Sequence, residues 1–456
     1  MNARRPRRGR LLIAMLAALV AGCATAYAPA PLAPWEPARE LGVLAADDEL
    51  RVGAGRADIS PDHAVPLAGY GAFLGAPEHI RWSRGVHDPL YADALYFEKG
   101  ADRLLLVTFD LVGVTAADLD PLRDDLARET LVDRDRIIVS SSHTHHAPDT
   151  LGLWGTGFPP RSGRDERYMT FMKRQAVLAA KTAVANRRPA ELLVAVGADA
   201  ELHMNIHDVH DPQATLDDAL TVLIAKDRRG GTIATLTNWS CHATCESMPN
   251  RLVSADWVGY FRRGMAARSP GQHIYVNGAI GASVQPNDHY RDAHIRPGED
   301  QNFRWAKLLG ESLAEKTAAL MATARPVPFD RIEVRRTMVP THFENTLYDL
   351  AKKMGILSMR MPKMGEVYRI EATAVKMGPV RFGTFPGELI PNLGLDIRRS
   401  VGGEAQVLVG LSQDYLGYIL DEQRYRDPRY GYEKMLCVGP DLGVNLVRAY
   451  AALGFE

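Results

Sequence analysis

Cysteine is scarce in this chain, with four residues among 456. Beyond Cys23, the remaining three are Cys241, Cys245 and Cys437, an odd number. A framework of disulfides therefore does not organise the fold. Cys241 and Cys245 flank His242, but a structural zinc site takes four protein ligands from two well-separated clusters. We therefore do not expect a cysteine-ligated zinc.

Signatures of nucleotide chemistry are also missing. The sequence has no phosphate-cradling Gly-Lys-Ser/Thr loop, no Gly-x-Gly-x-x-Gly motif opening a helix, and no repeat of fixed period. Positive charge is limited too, because five of the 54 basic residues precede residue 22, and without them the net charge is about −6. A nucleic-acid partner needs a basic face, so we expect none.

Long apolar runs are few. Residues 11–21 follow five arginines and are too short to span a bilayer comfortably, which is typical of a secretory signal peptide. The run from Leu19 to Cys23 resembles the lipobox of bacterial lipoproteins; an ordinary secretory peptide with an incidental cysteine is the alternative. We predict a signal peptide over 1–22 and an exported bacterial lipoprotein of the outer membrane or periplasm, held to the membrane by a lipid on Cys23.

The rest of the chain has the composition of a folded protein. Hydrophobic residues make up 46% and charged residues 24%, which is ordinary globular usage. Residues 23–48 contain four prolines and predict an extended tether after the lipidated cysteine. Residues 49–456 are then expected to form a single large domain.

Strands and helices alternate along this domain. Short β-branched runs bounded by turn residues predict strands at 94–98, 104–109, 137–141, 192–196, 221–225, 233–236, 274–276, 332–339, 368–375, 380–385 and 405–410. Helical spacing of apolar residues predicts helices at 116–129, 166–186, 255–268, 302–323, 389–400 and 441–453. The pattern predicts an α/β or mixed α+β fold. The Met- and Lys-rich stretch 343–366 fits either a flap or a surface excursion, and we favour the excursion.

Histidines concentrate where one predicted strand ends. The strand 137–141 runs into three serines and then three histidines, His143, His145 and His146. On an extended chain residues i and i+2 point to the same side, so His143 and His145 are expected to converge. Clustered imidazole rings are costly to bury unless they bind something. A solvated histidine-rich turn is the alternative.

Three further candidates follow later in the chain. His242 comes after the strand 233–236, Glu388 opens a predicted helix after a Pro-Gly turn, and Tyr415 and Tyr418 begin a tyrosine-rich region. Each also has a structural explanation. His242 is explained as a satisfied core or loop histidine, Glu388 as an acid favoured by the helix dipole, and the tyrosines as aromatic packing.

In their order along the chain, these segments resemble the amidase domain of the neutral/alkaline (non-lysosomal) ceramidases. The resemblance runs from about residue 53 to about residue 440. It rests on residues 55–60, 85–91, Phe109-Asp110, the pair His143 and His145, Asn238 to His242, Ser254 to Asp256, Pro386 to Glu388, Gly410 to Ser412, and Tyr418.

The resemblance implies two twisted β-sheets packed together with flanking helices. It implies a zinc-dependent amidohydrolase that cleaves an amide bond, of an N-acylated and sphingolipid-like substrate, with zinc-activated water. The implied ligands of the Zn²⁺ are His143, His242, Glu388 and Tyr418. Tyr415 is the rival of Tyr418 for the last position.

The same resemblance implies two catalytic side chains. His145 would act as the proton shuttle. Tyr432, which precedes Glu433, would donate a hydrogen bond to the developing oxyanion. Because the spacing to Tyr432 is two residues longer than in the family, Tyr430 remains the alternative.

Three departures from the family concern the substrate. Ile206 stands where the family has an arginine, and the segment 281–287 has Gln285 directly before its proline where the family has a serine. The family's C-terminal immunoglobulin-like domain has no counterpart before Glu456. The substrate therefore need not be ceramide. Asp110 and Asp256 are candidates for orienting the histidines, or for caps and turns.

Two other functions remain open. Both His143 and His145 would be ligands in a binuclear metallohydrolase, although in barrel amidohydrolases this motif ends the first barrel strand and several strands precede it here. A catalytically silent surface lipid-binding module is the second. Metal content distinguishes the two enzyme hypotheses. The ceramidase-like amidohydrolase should hold about one zinc per chain, and the binuclear metallohydrolase about two. The sequence does not specify the oligomeric state.

Overall fold

The computed structural model describes residues 49–455 and the pair Arg39–Glu40, except for 72–74, 209–210, 212, 282–283, 297–300 and 358. The predicted signal peptide lies outside the described residues. So does the predicted tether, apart from the strand Arg39–Glu40. The described residues belong to one unit, 34–456.

The strands are numbered in chain order. They are β1 (Arg39–Glu40), β2 (Leu50–Asp58), β3 (Tyr91–Lys99), β4 (Asp102–Phe109), β5 (Ile137–Ser141), β6 (Thr156–Gly157), β7 (Pro160–Arg161), β8 (Arg188–Ala198), β9 (His203–Asn205), β10 (Ala219–Asp227), β11 (Thr232–Trp239), β12 (Gln272–Asn277), β13 (Val284–Pro286), β14 (Arg325–Pro326), β15 (Glu333–His342), β16 (Val367–Met377), β17 (Val380–Thr384), β18 (Glu388–Leu389), β19 (Ala405–Val409) and β20 (Tyr418–Ile419).

The helices are numbered in the same way. They are α1 (Ala116–Thr130), α2 (Glu166–Ala185), α3 (Trp257–Ala266), α4 (Asp288–His294), α5 (Gln301–Met321), α6 (Thr346–Lys353), α7 (Pro391–Val401), α8 (Glu422–Arg426), α9 (Gly431–Met435) and α10 (Leu442–Leu453). Short 3-10 helices cover Pro77–His79, Arg134–Arg136 and Pro428–Tyr430.

Two large sheets pack face to face. The nine-stranded sheet has the order β12-β11-β10-β8-β2-β3-β4-β5, with β14 paired to β8, and the five-stranded sheet has the order β1-β15-β16-β17-β19. Leu104 and Ile138 of the first sheet share one buried cluster with Phe382 and Val407 of the second. The inner faces of both sheets therefore form a common apolar core.

Helices cover the two outer faces. On the nine-stranded sheet, α1 and α2 pack over β3 and β4, and α3 and α5 pack beside β12. On the five-stranded sheet, α7 and α10 provide the cover. The order of layers is helix, sheet, sheet, helix. The predicted single mixed α/β domain with two packed sheets and flanking helices is confirmed.

Three parallel strand pairs are each joined by a helix. The units are β4-α1-β5, β11-α3-β12 and β17-α7-β19. Parallel neighbours need such a crossover connection. Because ligands in α/β folds bind beyond the carboxyl ends of parallel strands, the loops that follow these strands, among them those after β5, β11 and β17, are candidate positions for a site.

The predicted strands and helices overlap observed ones, with ends that differ by a few residues. The prediction that Glu388 opens a helix is wrong, because Glu388 and Leu389 form β18 and α7 begins at Pro391, whose ring suits the first turn of a helix. β2 is an element that the residue pattern does not reveal, because glycine has low strand propensity. A Cβ at Gly53 would lie 2.0 Å from the carbonyl oxygen of Ala183 in α2. The close approach of helix and strand therefore explains the glycine. Within the part of the chain that the structure describes, no helix is long and apolar enough to cross a membrane.

Candidate metal centre and active site

The loops after β5, β11 and β17 bring three of the expected ligands together. His143 lies two residues after the end of β5, His242 three residues after β11, and Glu388 four residues after β17. All three side chains are buried. The three βαβ units therefore place two imidazoles and a carboxylate in one interior site.

Backbone carbonyl groups fix the orientation of both imidazole rings. Nδ1 of His143 lies 2.6 Å from the carbonyl oxygen of Val112, and Nδ1 of His242 lies 2.8 Å from that of Val284. A carbonyl oxygen only accepts hydrogen bonds, so each Nδ1 carries the hydrogen and donates it. In the neutral rings both Nε2 atoms are then left with a lone pair.

Both Nε2 atoms face the Glu388 carboxylate. Nε2 of His242 lies 3.0 Å from Oε2, and Nε2 of His143 lies 3.5 Å from Oε1. Burial raises the pKa of Glu388, but when the His143 and His242 rings are protonated, their charges and hydrogen bonds outweigh burial and hold this pKa well below its usual range. The carboxylate is therefore anionic at neutral pH.

This arrangement fits a metal ion. Two lone pairs and a carboxylate converge without a hydrogen between them when the rings are neutral, and a cation removes the resulting repulsion. One donor nitrogen from each of His143, His145 and His242 lies within 4.8 Å of the others. Imidazole and carboxylate groups are ordinary ligands of divalent transition metals.

His145 occupies the more open side of the cluster. Its Nε2 lies 3.2 Å from Nε2 of His143, and its side chain is partly exposed where those of His143 and His242 are buried. Nδ1 of His145 has no hydrogen-bond partner among the described residues. Gly69 (φ +93°) passes directly over this ring, since a Cβ at that position would lie 2.3 Å from the Cβ of His145.

The two candidate tyrosines contact Glu388 differently. The Tyr415 hydroxyl donates to Oε1 of Glu388 at 2.7 Å, and its ring stacks on His143 with centroids 6.1 Å apart. Tyr418 lies opposite Glu388 in the parallel pair of β18 and β20. The structure therefore brings both tyrosines to the site, with Tyr415 hydrogen-bonded directly to the carboxylate.

Tyr432 and Tyr430 have different surroundings. The Tyr432 ring packs edge-on against Tyr418 at 5.9 Å and is about half exposed. Partial burial, followed by the charge of Glu388, raises the pKa of Tyr432 to about 12, so its hydroxyl keeps its proton at neutral pH. The Tyr430 hydroxyl donates to Asp211 at 2.7 Å and is buried.

Two solved structures share this fold. A neutral ceramidase from Pseudomonas aeruginosa has a TM-score of 0.74 and 18% identity, with 90% of this chain and 74% of that chain covered. A ceramidase complexed with C2 has a TM-score of 0.72 and 16% identity, with 89% and 75% covered. The fold is ceramidase-like. No family model matches the sequence.

Ile206 and Gln285, the two positions at which the resemblance implies departures from the family pattern, line one cavity. Ile206 and Gln285 both border a space of about 520 Å³ that also contains Thr244, Arg291 and Trp305. Thr244 follows His242 by two residues, and its hydroxyl donates to Gln285 at 2.5 Å. Ile206 and Gln285 therefore lie together, beside a residue that is close along the chain to the candidate ligand His242.

The stretch 343–366 is not a surface excursion, contrary to our expectation. Phe343, Tyr348 and Met361 are buried in the same cluster as Tyr415 and Tyr418. The Tyr348 hydroxyl donates to the carbonyl of Leu436 at 3.0 Å. Phe343, Tyr348, Met359 and Met361 therefore pack against the tyrosine region, whereas Met364 is exposed.

Neither aspartate proposed as an orienting group contacts the candidate ligands. Asp110 pairs with Arg262, whose Nη1 donates at 2.9 Å, and Asp256 caps α3 by accepting from the Trp257 amide at 2.6 Å. The carbonyl groups of Val112 and Val284 orient the histidines instead. Backbone carbonyls carry no residue-type signal, so the sequence could not reveal this role.

Proposed function

We propose that this protein is a zinc-dependent hydrolase that cleaves the amide bond of an N-acylated, sphingolipid-like substrate. The observation that carries the proposal is the convergence of the His143 and His242 Nε2 atoms on the buried Glu388 carboxylate. The ceramidase-like fold of the two solved neighbours supports the class of reaction.

His143, His242 and Glu388 would hold the metal, with Tyr418 as the proposed fourth ligand. When bound, zinc supplies Lewis acidity towards a carbonyl oxygen and a water nucleophile at neutral pH. The protein supplies a buried site with fixed ligand orientations, since Val112 and Val284 hold both imidazole rings.

His145 is the proposed proton shuttle. Its ring lies beside the ligands on the more open side, and one of its nitrogens has no other hydrogen-bond partner among the described residues. Nε2 of His145 faces the ligand His143 at 3.2 Å, and this nitrogen would hold a proton and pass it to the leaving amine. Tyr432 keeps its hydroxyl proton and would donate it as a hydrogen bond to the developing oxyanion.

The substrate class is an amide with a fatty acyl group. A lipid anchor at Cys23 would keep the enzyme at the membrane, where such amides are concentrated, and anchoring is part of the proposal. Ile206 and Gln285 line one cavity, and we propose that this cavity sets which amine is accepted in place of, or alongside, the sphingoid base.

Metal content and turnover test the proposal together. The full chain, purified in detergent, is compared with a His143→Ala/His242→Ala variant by elemental analysis and with a panel of ceramides and other N-acyl amides. We expect the variant to hold one zinc equivalent fewer per chain and to lose hydrolysis, and we expect chelation to stop the wild type.

Each other outcome has a defined meaning. Equal zinc content in both proteins would overturn the proposed metal site. A difference of two equivalents would favour the binuclear enzyme. Bound zinc without hydrolysis of any amide in the panel would favour the lipid-binding module.

A further inference from the structure

A second group of buried acids lies on the other side of the His145-His146 turn. Asp88, Glu246 and Asp256 are 5%, 0% and 0% exposed. Among the described residues, no lysine or arginine forms an ion pair within 4 Å of Glu246 or Asp256, and His146 is the basic residue recorded beside Glu246. Several buried carboxylates without a cation are costly.

Asp88 and Glu246 compete for the single hydroxyl hydrogen of Ser254. Its hydroxyl oxygen lies 2.6 Å from Oδ2 of Asp88 and 2.7 Å from Oε1 of Glu246. A serine hydroxyl has one hydrogen, so it can donate to only one of the two carboxylates. The other carboxylate needs a proton of its own or a neighbouring cation.

His146 supplies an independent indication of a ligand. Its ring is fully buried, and Nε2 lies 3.3 Å from the Ser247 carbonyl oxygen, to which it donates. Full burial favours the neutral form of the ring, in which Nε2 holds the hydrogen. Nδ1 then carries a lone pair, has no hydrogen-bond partner among the described residues, and faces Oε2 of Glu246 at 3.9 Å.

A metal ion explains this separation. At 3.9 Å the two atoms are too far apart for a hydrogen bond. Zinc binds nitrogen and oxygen at about 2.0–2.2 Å, so two ligands of one ion stand about 3.4 Å apart at a tetrahedral angle and about 4.2 Å apart in line. One donor atom from each of His146, Glu246 and Asp256 lies within 4.8 Å of the others.

We propose that His146, Glu246 and Asp256 form a second, structural metal site that is separate from the catalytic centre. The ligand set of one imidazole and two carboxylates suits zinc or manganese rather than calcium, which prefers oxygen ligands alone. All three residues are buried, and they supply three of the four ligands of a tetrahedral ion, so a further donor such as a water would complete the coordination. The ion would tie the turn that carries His145 to the segment 246–256 that leads into α3.

The experiment uses the full chain in detergent, stripped with a chelator and then supplied with Zn²⁺ alone or Mn²⁺ alone. We expect two bound equivalents for the wild type and one for Glu246→Gln, which keeps the shape of the side chain but removes its charge. In His146→Gln, the side-chain amide can replace Nε2 as the donor to the Ser247 carbonyl, but the Nδ1 ligand is lost. This variant should also bind one metal equivalent per chain.

His203→Gln is the matched control. His203 is another buried histidine with an unpaired Nε2, and its Nδ1 bonds to the Ser240 carbonyl. This variant should keep both equivalents. Anomalous scattering at the zinc edge from crystals should place the second ion between His146 and Glu246.

The outcomes separate this proposal from the catalytic one. The second site would be overturned if Glu246→Gln and His146→Gln both bound two metal equivalents. It would also be overturned if the wild type bound a single equivalent that disappeared in His143→Ala/His242→Ala. A proton on one of the carboxylates would then explain the Ser254 contacts. A single wild-type equivalent that disappears in Glu246→Gln would support the second site and overturn the catalytic zinc.

Discussion

His143 shows how the site depends on a single backbone conformation. Its φ is +69°, in the left-handed region that non-glycine residues rarely adopt. Such a conformation costs of order 1–3 kcal/mol and persists where the surroundings hold it. Here the His143 amide donates to the Leu111 carbonyl at 2.9 Å and the ring donates to Val112.

The sequence predicted that His143 and His145 converge, and the structure places their rings 4.8 Å apart. The reason differs from the one expected. The strand β5 ends at Ser141, so the two side chains do not lie on one face of an extended strand. A left-handed turn brings them together instead.

Replacing His145 tests whether this residue acts as the proton shuttle or as a metal ligand. We expect His145→Ala to keep the catalytic zinc equivalent and to lose about 10²–10⁴-fold in kcat, the usual contribution of a general acid or base. Elemental analysis and steady-state kinetics on the same preparation check this. His143→Ala is the comparison and should lose the metal. Loss of that zinc equivalent in His145→Ala would mean that ligand and shuttle are assigned the wrong way round.

Phenylalanine substitutions decide between the two tyrosines. Tyr415→Phe removes the hydroxyl that donates to Glu388, and loss of such an orienting contact lowers metal affinity by about 10–100-fold. Tyr418→Phe would remove a ligand and should lower zinc affinity further. Competition with a fluorescent chelator measures both. A larger loss for Tyr415→Phe would make Tyr415 the ligand.

At the scale of elements, Asn238 connects the two sheets beside the site. Its Nδ2 donates to the Leu408 carbonyl at 2.7 Å, and its Oδ1 accepts from the Leu408 amide at 2.8 Å. Leu408 lies in β19 and Asn238 in β11. The Asn238 side chain thus makes the two hydrogen bonds to Leu408 that a neighbouring strand would make. Asn238 lies four residues before His242, so these bonds hold β11 close to the site.

Removing this amide should destabilise the fold. Asn238→Ala leaves two buried backbone groups of Leu408 without partners, at about 1–3 kcal/mol each. We expect a loss of about 3 kcal/mol in the free energy of unfolding by urea titration. Asn392→Ala is the control, because it removes one hydrogen bond from a partly exposed side chain to the Gln213 carbonyl. It should lower the free energy of unfolding by well under 1 kcal/mol. Equal losses in the two variants would contradict this role.

At the scale of the whole molecule, ion pairs around Glu371 connect helix α1, which covers the nine-stranded sheet, to the five-stranded sheet. Glu371 of β16 accepts from Arg123 of α1 at 3.0 Å and also pairs with Arg336 of β15. Burial alone would raise the pKa of Glu371, but Arg123 and Arg336 together lower it to about 2. This carboxylate therefore links a helix of the nine-stranded sheet to the five-stranded sheet.

The lowered pKa predicts a dependence of stability on pH. The pKa is lower in the folded state than the ordinary value of 4.5, so the contribution is present above pH 4.5 and is lost as the pH falls towards 2. It amounts to about 3 kcal/mol in full. The stability difference between wild type and Glu371→Gln should shrink by about 2 kcal/mol from pH 6 to pH 3.

Urea unfolding at each pH measures this difference, and any loss of metal at low pH is common to both proteins and cancels. Glu315→Gln, on the exposed side of α5, is the control, and its free energy of unfolding should stay within about 0.5 kcal/mol of the wild-type value. A constant difference for Glu371→Gln would contradict the assigned linkage.

The sequence by itself determined the fold class, most elements and the candidate residues. Strands such as 137–141 and helices such as 166–186 follow from local periodicity, and the ordered motifs around His143, His242 and Glu388 predicted a ceramidase-like arrangement. These signals are local or ordered along the chain, so no knowledge of spatial neighbours was needed.

The tertiary structure decided what distant segments do to one another. Only the fold shows that Tyr415 donates to Glu388, that Asp110 serves Arg262, and that 343–366 packs into the core. It alone places His146 against Glu246, one hundred residues later in the chain. Such contacts depend on how sheets and loops meet in space, and no pattern along the sequence records that distance.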